Sequence, residues 1–182
     1  ATKVAPSAQL SPASVRIVRN SNLSMQELLS RLLGNVRPRR MLLCDRFVRG
    51  DGNLACLKIL RDALCQQHAS ARLLVLTDRD AEDPKQSARI QQAVGESPAW
   101  YEQAFGRIRS EQPHDRFLLL DAGDIRLAWQ MSNSPLDARP IPGKTAGPDT
   151  PLKWRDLACT PVAPPELYYP YLVKWFDGGK PV

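Results

Sequence analysis

Apolar positions along this chain change spacing several times, and each change predicts an element. Met41 to Val48 is a short apolar run that ends in Asp45-Arg46-Phe47, as expected for a buried strand. After the turn residues Gly50-Asp51-Gly52-Asn53, Leu54, Leu57, Leu60 and Leu64 fall at helical spacing. Arg72 to Asp78 is again a continuous apolar run between polar turns and predicts a second buried strand. Ser97-Pro98 then predicts a helix start, because proline at the first helical position forfeits no needed N–H; Tyr101, Ala104, Phe105 and Ile108 would form its apolar face. Residues 114–121 and 125–130 predict two further strands, 140–151 a Pro/Gly-rich loop, and Trp154 to Val162 a return to strand. Tyr168, Tyr171, Leu172 and Trp175, closed by Gly178, predict a final helix. Upstream, Ser24-Met25-Gln26-Glu27 is a capping box before Leu28, Leu29, Leu32 and Leu33, and Gly34 can close that helix. Residues 15–35 therefore add a strand and a helix ahead of the rest.

The strand–helix–strand order predicts an α/β fold, a mixed sheet flanked by helices. With 182 residues and 43% hydrophobic content, the chain can bury a substantial core, and no apolar run approaches a membrane span. Residues 1–14 are rich in small residues and proline and are expected to be a linker or a domain edge; 15–182 are expected to form a single domain, with its core at about 36–177. Such a domain could belong to a larger protein. Cys44, Cys56, Cys65 and Cys159 show no CxxC or Cys/His ligand spacing, so neither metal nor cofactor is expected. Buried reduced thiols and the lack of a visible signal peptide predict a cytoplasmic location.

The net charge of +6 is uneven, since residues 1–72 carry twelve Lys/Arg against four Asp/Glu and the remainder thirteen against fifteen. Arg31, Arg37, Arg39, Arg40, Arg46 and Arg49 would attract a phosphate backbone if they shared a face, and would otherwise be a solvated surface.

The chemistry concentrates at His114-Asp115-Arg116-Phe117-Leu118-Leu119-Leu120-Asp121. Along a strand, His114 and Arg116 point the same way and could meet one phosphate; Asp121 has the opposite parity and rejoins them only if the strand bends or ends near Ala122-Gly123. His68, after a helix, fits a solvent-facing or capping role. Asp45-Arg46-Phe47 echoes Asp115-Arg116-Phe117, the pattern expected of two similar adjacent strands; if both end at one sheet edge, Arg46 could join Arg116 around an anion.

This run resembles the HxK(x)4D motif of the phospholipase D superfamily, with Arg116 where that family usually has lysine. The order of elements over about 36–177 is similar to its shortened, single-motif PLD-like domains. A second strand leading to Ser132 and Asn133 matches the family's small polar cluster, without its glycine. The resemblance implies a PLD-like mixed sheet flanked by helices and metal-independent chemistry: His114 as the nucleophile that becomes phosphohistidine, Arg116 as the phosphate clamp, Asp121 completing the motif, and Ser132, Asn133, Arg46 and Asp45 supporting the substrate. A single motif would need a homodimer so that a second His114 could protonate the leaving oxygen. The implied activity is a phosphodiesterase or nuclease acting on nucleic acid, in a defence or DNA-processing assembly. The alternatives are a degenerate phosphate- or nucleic-acid-binding module and a scaffold domain presenting the sheet edge and the aromatics of 168–175 to a protein partner.

Overall fold

The computed structural model describes residues 13–162, apart from 109, 111, 113 and 124. Its first elements are β1 (Val15–Ile17), α1 (Met25–Leu33), β2 (Arg40–Cys44), α2 (Gly50–Gln67), β3 (Arg72–Thr77), α3 (Gln86–Val94), β4 (Ala99–Trp100) and α4 (Tyr101–Phe105). They are followed by β5 (Arg116–Asp121), β6 (Arg126–Met131), β7 (Arg139–Pro140), β8 (Leu152–Lys153) and β9 (Leu157–Pro161). Seven strands form one mixed sheet in the order β1-β9-β6-β5-β2-β3-β4, and β7 and β8 make a separate ribbon. The fold is mixed α/β, a sheet flanked by helices, as the alternating rhythms predict.

β2, β3 and β4 run parallel and are joined by α2 and α3, as parallel neighbours require a crossover. β5 pairs antiparallel with β2, β6 with β5, β9 with β6, and β1 with β9. Leu42, Leu43, Leu118 and Leu119 lie at the middle of this sheet and are buried on both faces, which explains their continuous apolar runs. Met41, Leu43, Leu73, Leu118 and Leu120 pack with α1, α2 and α3 on one face. Leu42, Cys44, Leu76, Phe117 and Leu119 pack on the other with Tyr101, Ala104 and Phe105. No helix of the described residues is long and apolar enough to cross a membrane.

The α1 start follows its sequence: Ser24 Oγ accepts from the Glu27 N–H at 3.1 Å, and the Glu27 carboxylate accepts from the Ser24 N–H at 2.6 Å. Gly34 closes the helix at φ +54°, where a side chain would be strained. Three sequence expectations change. The strand expected over Met41 to Val48 ends at Cys44: the Asp45 N–H still donates to the Leu76 carbonyl at 3.0 Å, but its carboxylate accepts from the Phe47 N–H at 3.0 Å and turns the chain there. Pro98 does not open a helix; Ala99 and Trp100 first add a strand to β3, and the helix begins at Tyr101. The loop expected over 140–151 is pinned at its ends, since Pro140 pairs with Leu152 across the ribbon. α3 was not foreseen, although Gln86, Ile90 and Val94 recur at four-residue spacing and are buried. The helix expected around Tyr168 to Trp175 lies outside the described residues.

Candidate phosphate-binding edge

The register decides which chemistry-bearing residues meet. Because β5 runs against β2, Cys44 pairs with Phe117 and Arg40 with Asp121. The C-terminal ends of β2, β3 and β4 therefore share one sheet edge with the start of β5. Crevices outside the carboxyl ends of parallel strands are where open α/β sheets bind ligands. Asp45, Arg46, Phe47, Asp78, Arg79 and Arg116 converge there.

Asp45 is 1% exposed along its side chain; its Oδ1 accepts from the Phe47 N–H and from Arg116 Nε at 3.2 Å. Arg46 is also buried, donating from Nε to Asp78 at 2.9 Å and from Nη2 to Gln112 Oε1 at 2.7 Å. Its guanidinium lies 5.3 Å from the Tyr101 ring centre. Gln112 in turn donates to the Gly106 carbonyl at 2.6 Å, so Arg46 ties the chain after α4 to the end of β3. Burial drives the Tyr101 phenol far above its ordinary range, and the charges of Cys44 and Asp45 push the same way, so the ring is a neutral wall at pH 7. Arg79 donates to Glu102 at 2.7 Å and covers the Trp100 ring at 4.3 Å.

The expected site residues separate into three groups. His114 is exposed just before β5, and among the described residues nothing hydrogen-bonds or ion-pairs with it. Arg116 is beside it at the same edge; its side chain is 25% exposed, and its Nη groups have no further partner among the described residues. Ser132 and Asn133 also lie at this edge, just beyond Met131, the cross-strand partner of Arg116. Their bonds are spent on the approach to β9: Ser132 Oγ accepts from the Ala158 N–H at 2.8 Å and Asn133 Nδ2 donates to the Asp156 carbonyl at 2.7 Å.

Asp121 is elsewhere. It ends β5, five residues and about 16 Å from Arg116 at strand rise, and the strand does not bend back. There it accepts from Arg40 at 2.5 and 3.0 Å and from the Gly123 N–H at 2.9 Å. Burial opposes its ionisation, but the Arg40 and Gly123 hydrogen bonds and the charges of Arg40 and Arg126 outweigh burial and hold the carboxyl below its ordinary value. Gly123 adopts φ +96°, and the Arg39 guanidinium carbon lies 3.3 Å from where a Cβ would stand.

The front arginines do not form one patch. Arg37 and Arg39 precede β2 and Arg40 opens it, whereas Arg46 and Arg49 follow its other end, roughly 15–20 Å away. Arg46 and Arg116 reach the same edge, but from opposite faces: Arg46 lies with Tyr101, while Arg116 shares the parity of Leu118 and Leu120 on the helix-covered face. Each has its own carboxylate, Asp78 and Asp45.

Sequence reading missed Asp78, Gln112 and the Phe47 ring. Asp78 carried a signal as the polar residue closing a parallel strand; Gln112 lies in a stretch of sequence with no apolar periodicity. A cleft of about 540 Å³ opens at this edge beside Arg46, Phe47, Arg49, Asp78, Asp80 and Glu82. No cluster of His, Cys, Asp and Glu among the described residues has the grouping of a metal site. In comparisons with known proteins, no protein-family model and no curated protein matches the chain.

Proposed function

We propose that this chain is a PLD-like phosphate-site domain that binds nucleic acid through the edge formed by the ends of β2 and β3 and the start of β5. The observation that carries this reading is Arg116. Asp45 holds only its Nε, which orients the guanidinium while leaving the terminal nitrogens to donate as a fork to non-bridging phosphate oxygens. Exposed His114 stands two residues away, and Arg49 adds a second cation at the N-terminal end of α2. Most other cations of the edge are neutralised by carboxylates, so the phosphate contribution is short-range and few-point, and its salt dependence is correspondingly shallow.

A second reading, a metal-independent phosphodiesterase, is favoured by the exposure of His114 on the parity of Arg116. Asp121 is bonded to Arg40 at the far end of β5, so no acid of this motif orients the imidazole; turnover then needs a second His114 from another copy.

The two separate when wild type, His114→Ala and Arg116→Ala are incubated with labelled DNA and RNA in EDTA, with cleavage and gel shift followed together. A shift without cleavage, lost in Arg116→Ala and kept in His114→Ala, is the expected result. Cleavage abolished by His114→Ala would replace it with the phosphodiesterase. Neither shift nor cleavage would overturn both.

A further inference from the structure

We infer that the nucleic acid taken at this edge is single-stranded, with an unpaired base stacked against Phe47. This rests on the proposed phosphate site and adds what lies next to it. Among the described residues the exposed large apolar side chains are Val18, Phe47 and Ile108, and only Phe47 has an aromatic ring. That ring is 41% exposed although it stands beside a core with two apolar faces. It is also held in place: Asp45 fixes its N–H, while the Arg49 and Arg116 guanidiniums lie 5.1 and 5.8 Å from its centre. With 41% of its surface open and two guanidiniums over it, the ring offers a restrained aromatic surface on which a base can pack, and Arg116 links it directly to the phosphate fork.

The cleft beside the ring favours a base over a phosphate. Its volume falls within the range of small-molecule sites. Of the cations on its wall, Arg46 is neutralised by Asp78 and Arg79 by Glu102, while Asp80 and Glu82 add two further carboxylates. Those carboxylates would repel a phosphate, whereas they can accept hydrogen bonds from the exocyclic amino groups of bases. The strand is therefore placed with its phosphates on Arg116 and Arg49 and a base over Phe47. Bases of an intact duplex are stacked on each other and cannot occupy that position.

The test is fluorescence anisotropy with one short labelled oligonucleotide as single strand, as duplex, and as the same strand carrying abasic sites. Wild type, Phe47→Ala, Phe47→Trp and Arg116→Ala are compared, each first checked by thermal melting. Wild type is expected to bind the intact single strand about tenfold more tightly than the duplex or the abasic strand, the scale of one stacked base. Phe47→Ala should lower the intact strand to the abasic level without changing the abasic affinity, and Phe47→Trp should keep the preference. Equal binding of intact and abasic strands, or no effect of Phe47→Ala, overturns the inference. If all three ligands then still depend on Arg116, the phosphate site stands without it. If none binds, both fall.

Discussion

Arg116 donates through Nε to the carboxylate of Asp45 at 3.2 Å, so the cation of one Asp-Arg-Phe triplet is held by the acid of the other. The antiparallel pairing of β2 and β5 produces this, because the first triplet leaves the sheet where the second enters it. Their resemblance in sequence is therefore one of adjacent strands, and their roles differ: Asp45 is buried and organises, while Arg116 remains partly open.

Asp45→Ala is expected to lose about 1–3 kcal/mol, because it removes the acceptor of both the Phe47 N–H and Arg116. Urea denaturation measures the loss. Asp45→Asn should be milder, since an amide oxygen can still accept from the Phe47 N–H. Equal stability of Asp45→Ala and wild type would contradict the assigned role.

Arg46→Met should cost about 1–3 kcal/mol, because it removes the Nε donor to Asp78 and the Nη2 donor to the buried Gln112 carbonyl oxygen. Arg46→Lys should recover only part of this, as an ammonium cannot replace the planar fork that bridges both groups. Hydrogen exchange should speed up in both variants at the Gly106 N–H, which donates to the Glu102 carbonyl where Gln112 braces the end of α4, before the central strands are affected.

Acid stability reports on Asp121. Its folded-state value lies below that of an unfolded aspartate, so its contribution is complete above about pH 4 and is lost as pH falls below that, through the folded value. Asp121→Asn should lower stability by about 1–2 kcal/mol at neutral pH. It should also flatten the fall of Tm below about pH 4. A Tm profile parallel to that of wild type would show that the Arg40 pair does not set this window.

Thiol labelling should distinguish the cysteines. Burial pushes the Cys56 thiol up to about 11 and that of Cys159 to about 12, and it raises that of Cys44 as well. Cys65 is half-buried. Iodoacetamide at neutral pH should therefore modify Cys65 first, with the other three reacting only on unfolding. Prompt modification of Cys44 would argue against the depth of β2 in the sheet.

The candidate site was legible in part. The residues with exposed chemistry, His114 and Arg116, declare themselves through charge within an apolar run. Asp121 has the same appearance in sequence, but its partner Arg40 is eighty-one positions away and is supplied by strand pairing. The front arginines show the same limit, since proximity along the chain made them one group and a five-residue strand divided them.

What the sequence determined by itself is local: the capping box of α1, the helical stripe of α2, the buried runs of β2, β3 and β5, and hence a mixed α/β sheet. These depend on side-chain periodicity and on hydrogen bonds between residues a few positions apart, both of which are written directly in the order of residues. Tertiary structure alone decided that β5 runs antiparallel to β2, which sets Asp45 on Arg116, Arg40 on Asp121 and Phe47 between two guanidiniums. Apolar strands with similar patterns can pair in either direction and in several registers; the choice is made by simultaneous packing of both sheet faces, which no single segment encodes.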